Sequence, residues 1–148
     1  MNNIAWLLRR FPVFGVFGDG RYRLQPIYVD DLAGLAVEQG AARESRVINA
    51  IGPETFTFNE LARAIRRAVR SRALIAHMPP MVALRLSQVI GLAVRDVVLT
   101  ADEVHGLVAD LLVTESPPAG RTKLSEWLEA KRDVVGRRWV SELGLHYR

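Results

Sequence analysis

The sequence has no cysteine, and this absence removes two kinds of chemistry. Disulfide bonds and thiolate metal sites are excluded, and a reducing compartment is the expected setting. The three histidines are far apart, and none has the spacing of a metal-binding pair, so we expect no metal ligand. The opening MNNIAWLLRRFP also lacks the form of a secretory signal peptide, which predicts a cytoplasmic protein.

Motifs that mark catalytic sites are missing as well. No serine lies in a G-x-S-x-G elbow, and the glycine turn at 18–20 is not followed by the Gly-Lys-Ser/Thr of a phosphate loop. The acidic pairs Asp30-Asp31 and Asp102-Glu103 stand at predicted helix starts, where carboxylates cap helices. We therefore expect no catalytic residue in this chain.

Lysine is scarce too. Only Lys123 and Lys131 stand beside 18 arginines, and the net charge is +4. Nucleic-acid binding would need clustered charge, with aromatic side chains between the charges for single strands. The densest group of arginines instead has the spacing of a solvated helix face. It consists of Arg63, Arg66, Arg67 and Arg70. We expect no nucleic-acid partner, while peripheral contact with a membrane surface stays open.

What is present in the first half is an alternation of strand and helix patterns. Strands are predicted at 13–17, 25–29, 46–51 and 73–77, the third short and apolar like a strand buried on both faces. A first helix ends at Arg10, with Asn2 or Asn3 as its cap and Pro12 as its stop. A second helix begins at the Asp30-Asp31 pair.

The third helix carries the clearest pattern. Thr57 and Glu60 form a capping box at its start. Its apolar residues repeat at helical spacing on one face: Phe58, Leu61, Ala62, Ile65 and Val69. We expect this face to pack on a sheet or on neighbouring helices.

Residues 78–94 are almost wholly apolar, with Arg85 as the only charge. The segment is too short to cross a bilayer of about 30 Å comfortably, and Pro79 and Pro80 begin its helix. A buried helix is favoured over one that lies on a membrane surface, because surface helices carry a strongly charged opposite face.

Helices alone are predicted for the rest of the chain. Thr100 and Glu103 form a second capping box, and residues 114–120 form a loop. The last two helices are marked by Leu124, Trp127, Leu128, Val134 and Val135, and by the stretch 137–145. The chain thus divides into residues 1–113 and a closing helical arm, 114–148, within one compact unit.

Two stretches carry a resemblance to a known family. They are GDGRYRLQPIYVDDLAGLAV at 18–37 and VINAIGPETFTFNELARAI at 47–65. Both resemble the C-terminal half of extended and atypical short-chain dehydrogenase/reductase proteins, the NAD(P)-dependent epimerase/dehydratase-like family. The resemblance implies an α/β fold, with partial Rossmann-type sheet strands followed by a mainly helical C-terminal substrate lobe.

The cofactor and catalytic motifs of that family are absent from this sequence. It contains neither GxxGxxG after a first strand nor YxxxK. The resemblance therefore implies that NAD or NADP belongs to the full-length protein and that this chain binds no cofactor and is inactive alone. The parent would be an oxidoreductase or epimerase/dehydratase-like protein, and this segment would contact its small-molecule substrate.

A candidate substrate-binding site follows the glycine turn. Alternation places Arg21, Arg23 and Gln25 on one face of a strand, with Tyr28 on the other unless a bulge or Pro26 shifts the phase. An arginine fork suits phosphate recognition. A purely structural use of the two arginines remains open.

The resemblance bears on the substrate class at this strand. In sugar-nucleotide members of the family an arginine contacts the nucleotide phosphates, and Leu24 stands at that position here. Gln25-Pro26 is more similar to the atypical members, which include the dehydrogenase-like accessory subunit of respiratory complex I.

Two functions stay open on this evidence. The first is the substrate-side segment described above, in which a homodimer or a protein partner covers the exposed sheet edge. The alternative is a non-catalytic interaction module that docks on a protein partner or a membrane surface. Its motivation is the apolar segment 78–94 together with the basic stretch 131–138.

Overall fold

The computed structural model describes residues 1–94, 96, 106–107 and 111–141. Helices and short strands alternate in it, which confirms a mixed α/β protein. The elements are α1 (Asn2–Arg10), β1 (Val13–Phe17), β2 (Arg23–Leu24), α2 (Val29–Gly40), β3 (Phe56–Thr57), α3 (Phe58–Ala68), β4 (Leu74–Met78), α4 (Pro80–Val94) and α5 (Leu124–Ala130).

The strands form two separate pairs. β1 and β4 are parallel, with Val13 opposite Leu74 and Phe17 opposite Met78. β2 and β3 are antiparallel and only two residues long. The predicted strand at 13–17 is confirmed, and the one at 73–77 is confirmed with a shift of one residue.

Two predicted strands are wrong. In the first, 25–29, pairing stops at Leu24, because Pro26 has no N–H to donate and α2 already begins at Val29. In the second, 46–51, the described residues supply no strand partner, and Val47 is 98% exposed. Ile51 alone is buried there, and its carbonyl accepts the N–H groups of residues 119 and 120.

The core forms around α3. The predicted capping box is confirmed: the Thr57 hydroxyl accepts the N–H of Glu60 at 3.2 Å, and the Glu60 carboxylate accepts the N–H of Thr57 at 2.8 Å. The apolar face of α3 is buried as predicted. It packs with Ala5 and Leu8 of α1, Phe14, Val16 and Phe17 of β1, and Leu128 and Val135 near the end of the chain.

α1 lies where the sequence predicts it, but its asparagines do not cap it. The residue before the helix is Met1, with no side-chain cap. Asn2 and Asn3 instead bind the backbone of residues 136–140: Asn2 donates to the Arg138 carbonyl and Asn3 to that of Val140, both at 2.8 Å. The described part of 114–148 therefore shares the core of the first region.

The later helices depart from their predictions. α4 begins at Pro80 as expected, but the predicted burial is wrong: among the side chains of α4 whose burial is described, only Ala83, Ser87 and Gly91 are buried, and Leu92 is 82% exposed. α5 ends at Ala130 rather than continuing, and residues 137–141 are not helical. The loop at 114–120 is confirmed, whereas the Thr100–Glu103 capping box lies outside the described residues.

Candidate functional site

The glycine turn closes the carboxyl end of β1. Gly18 and Gly20 have φ of +64° and +66°, which glycine adopts without strain. A Cβ at Gly20 would lie 2.6 Å from the Asn59 amide oxygen. The Gly18 N–H donates to the Met78 carbonyl at 2.9 Å, so the turn also binds the end of β4.

Beyond the turn, the predicted alternation holds through Leu24. Arg21 and Arg23 are exposed, whereas Tyr22 and Leu24 are buried. The Tyr22 ring stacks on Phe17 with 4.9 Å between centroids, and its hydroxyl has no hydrogen-bond partner among the described residues. Burial, followed by the charge of Asp19, raises the pKa of Tyr22. The two arginines thus share an outward face.

Gln25 and Tyr28 lie in other surroundings. The Gln25 carboxamide oxygen accepts the N–H of Thr114 at 2.8 Å. Tyr28 precedes α2 and packs against Trp127, with 6.4 Å between ring centroids. The Tyr28 phenol donates to Asp30, and this hydrogen bond raises the pKa of Tyr28. The four predicted substrate residues are therefore divided among three environments.

Asp30 and Asp31 lie in the first turn of α2, as predicted, but the predicted cap is wrong. The residue before the helix is Tyr28, and among the described residues no side-chain cap is formed there. The Asp31 carboxylate instead accepts the N–H groups of Arg121 and Thr122, both at 2.7 Å, and the Thr122 hydroxyl at 3.1 Å. The Thr122 and Arg121 N–H groups lower the pKa of Asp31. Asp31 thus ties α2 to the segment that leads into α5.

A cavity of about 550 Å³ lies beside Gln25. Its lining comes from three segments, 24–26, 49–51 and 111–114. The backbone holds two of them together, because the Gln25 N–H donates to the Leu112 carbonyl at 3.2 Å. The Asn49 carboxamide nitrogen donates to the Ser116 hydroxyl at 2.8 Å. Of the four predicted site residues, Gln25 lines this cavity.

Sequence reasoning missed the other polar residues here, Asn49, Thr114 and Ser116. Asn49 lies in a stretch predicted to be a strand, and the two hydroxyl residues lie in a predicted loop. They come together through contacts between positions more than 60 residues apart, such as Asn49 with Ser116. No local pattern in the sequence signals such a contact.

A second cavity, of about 500 Å³, lies between the carboxyl ends of α1 and α3. Arg9, Arg10, Arg70 and Arg72 line it. The Arg9 guanidinium donates hydrogen bonds to the carbonyls of Val135 and Arg132, at 3.0 and 2.6 Å. The Arg10 guanidinium lies over the Trp6 ring. Cations at helix carboxyl ends offset the helix dipole, so a structural role accounts for this charge.

Neither a metal site nor a membrane-spanning helix is found in the described part of the chain. Among the described residues, no three His, Asp or Glu side chains are grouped so that they could hold a metal ion. Within the same residues, no helix has the length and apolarity needed to cross a membrane. His77 lies at the end of β4, where its ring nitrogen is 2.9 Å from the Asn59 amide oxygen.

Comparison with known sequences adds no family. No family model matches the chain, and no curated protein matches it.

Proposed function

We propose that this chain is the C-terminal, substrate-side segment of an NAD(P)-dependent epimerase/dehydratase-like protein and is not catalytic by itself. In this proposal the strands belong to a larger Rossmann-type sheet. NAD or NADP binds a preceding half, which supplies the tyrosine and lysine for hydride transfer. The present segment closes over the small-molecule substrate. The parent would act in the cytoplasm.

The observation that carries the proposal is the orientation of α2. None of its 12 residues is buried. Five of its six apolar residues are exposed, namely Val29, Leu32, Ala33, Ala36 and Val37. The side that is half-buried carries Asp31, Leu35 and Gln39. An apolar stripe at this spacing is the normal packing face of a helix, so α2 has the form of an element whose partner lies elsewhere.

The parallel pair β1–β4 supports the same proposal. Each strand has one outer edge without a strand partner among the described residues. Val13 and Leu74 at the start of the pair are 47% and 67% exposed. Parallel sheets are normally covered on both faces and have more than two strands, so this pair fits a piece of a wider sheet.

Ligands of open α/β sheets bind outside the carboxyl ends of the strands. The turn at Gly18 and Gly20 lies at that end of β1 and is tied to the end of β4. A cofactor half that extended the sheet would therefore place its ligand near this turn.

The test begins with the coding DNA upstream of Met1, read in frame for a strand-GxxGxxG-helix pattern and a later YxxxK. The encoded segment is then co-expressed with this chain. We expect a 1:1 complex that binds NADH or NADPH, measured by calorimetry, while the chain alone gives no saturable binding. Micromolar binding of either nucleotide by the chain alone would contradict the proposal.

The alternative, an interaction module, is favoured by one observation on α4. Met81, Val82, Leu86, Val89 and Leu92 are exposed. Arg85, also exposed, is the only charge on this helix. Co-sedimentation with anionic vesicles tests a membrane surface as the partner: retention that disappears at high salt would favour it, because salt screens surface charge. No retention at low salt would leave a protein partner.

A further inference from the structure

We infer that the cavity beside Gln25 binds an uncharged, largely apolar small molecule that carries a carbonyl or hydroxyl oxygen. The inference rests on the proposed function, because it treats this cavity as the substrate pocket of the segment. A volume of about 550 Å³ suits such a ligand, since small-molecule pockets measure about 300–1,000 Å³.

The described lining of the cavity carries no charge. None of the ten described residues that line it is Asp, Glu, Lys, Arg or His. An ionised ligand group in contact with this lining would lose part of its hydration without gaining an opposite charge from it. Phosphate recognition in particular relies on arginine forks, and the lining has Leu24 instead. The cavity therefore disfavours nucleotide sugars.

Two carboxamide side chains in the lining, Gln25 and Asn49, keep part of their hydrogen-bonding capacity. The Gln25 carboxamide oxygen is occupied by the Thr114 N–H, and its nitrogen has no acceptor among the described residues. The Asn49 carboxamide nitrogen is occupied by the Ser116 and Thr114 hydroxyls, and its oxygen has no donor in the same part of the chain. One amide donor and one amide acceptor thus remain for a neutral polar group.

The apolar part of the lining consists of Leu24, Pro26, Ala50, Ile51, Leu111, Leu112 and Val113. Leu111 is 71% exposed and Leu112 is 50% exposed, so both have apolar surface that a bound ligand can remove from water. A ligand with an apolar body and one oxygen matches both parts of the cavity.

The test uses the full chain and the neutral ketone fluorophore 6-propionyl-2-(dimethylamino)naphthalene. We expect saturable binding with a blue-shifted emission. Gln25→Glu keeps the acceptor for the Thr114 N–H but removes the amide donor and adds a charge, so affinity should fall about tenfold or more. The matched control is Gln88→Glu on the exposed side of α4, which should bind like the wild type.

A second variant keeps the test decisive if Gln25→Glu fails to fold. Ala50 is an exposed lining residue, so Ala50→Trp fills the cavity without entering the core and should also reduce affinity about tenfold or more. Melting temperatures near that of the wild type verify folding. Unchanged affinity in Ala50→Trp would place the fluorophore on another apolar face and overturn the inference.

The ligand class is tested by competition. UDP-glucose, an anionic nucleotide sugar, should leave the fluorophore bound at concentrations where a neutral aliphatic ketone, 2-undecanone, displaces it. Displacement by UDP-glucose would overturn the neutral class. These outcomes are distinct from failure of the proposed function, because that failure would appear as NADH or NADPH binding to the chain alone.

Discussion

α2 and α3 are two amphipathic helices of nearly equal length, but the apolar face of α3 is buried and that of α2 is exposed. α3 has 11 residues and α2 has 12, and both carry an apolar stripe at helical spacing. α3 has a capping box and packs four of its residues into the core. α2 has no side-chain cap, and its stripe is exposed. An amphipathic pattern thus shows which face of a helix is suited to packing. It does not show whether the surface that packs on this face belongs to the same chain.

The largest difference is expected from the same substitution in each helix. Leu61 in α3 is 0% exposed, and Leu32 in α2 is 41% exposed. Leu61→Ala should lower the free energy of unfolding by about 2–5 kcal/mol, because it leaves a cavity in the core. Leu32→Ala should change it by about 0.5 kcal/mol or less.

Chemical denaturation of the two variants measures this difference. Equal losses in the two variants would mean that α2 is covered as fully as α3 in solution, and the contrast between the helices would fail.

The capping box is the next target. Thr57→Ala removes the hydroxyl that accepts the Glu60 N–H at the start of α3. The free energy of unfolding should fall by about 0.5–2 kcal/mol. Thr55→Ala, two residues earlier and exposed, is the matched control and should have an effect within about 0.5 kcal/mol. A Thr57→Ala protein as stable as this control would show that the cap contributes nothing.

The pH dependence of stability tests one carboxylate of each helix, Asp31 of α2 and Glu60 of α3. The Thr57 backbone N–H and hydroxyl lower the pKa of Glu60, as the Thr122 and Arg121 N–H groups lower that of Asp31. A lowered pKa means that each carboxylate stabilises the fold above its unfolded pKa, about 4, and that this contribution is lost as the pH falls through the folded value.

Urea unfolding between pH 7 and pH 2 should therefore show stability falling below about pH 4. Asp31→Asn and Glu60→Gln should each make the decline shallower and lower stability at pH 7. If the stability of Asp31→Asn falls as steeply at acid pH as that of the wild type, the link between α2 and residues 121–122 does not contribute to the pH dependence of stability.

The smallest effect on stability is expected on the exposed stripe of α2. Val37 is 75% exposed, so Val37→Glu should change the free energy of unfolding by about 0.5 kcal/mol or less. The same charge should weaken binding to the proposed cofactor half, measured by co-purification, because it lies in the face that would be covered. Undiminished complex formation would place the docking surface elsewhere.

The sequence predicted the parts of the fold that local chemistry determines. The capping box was predicted because Thr57 and Glu60 lie within four residues of each other. The apolar face of α3 and the turn at Gly18 and Gly20 were predicted because each appears as a pattern within a short stretch of sequence, although their contacts are distant. Asp31 was misassigned as a helix cap because its real partners, Arg121 and Thr122, are about 90 positions away.

The candidate site was predicted only in part for the same reason. The alternation of side chains along the strand predicted the outward arginines and Gln25 as site residues. Asn49 was missed because only the fold of the chain brings it to the cavity. α4 was predicted to be buried from its composition, yet burial needs a facing surface, and among its described side chains the surrounding residues bury Ala83, Ser87 and Gly91 and cover Leu84 in part.

Amide hydrogen exchange of the full chain tests most directly whether α2 lacks a partner. Protected amides of α3 should open only with global unfolding, whereas those of α2 should exchange at least about a hundredfold faster. Exchange in α2 as slow as in α3, at protein concentrations where the chain is monomeric, would show that the chain covers this helix itself and would contradict the account.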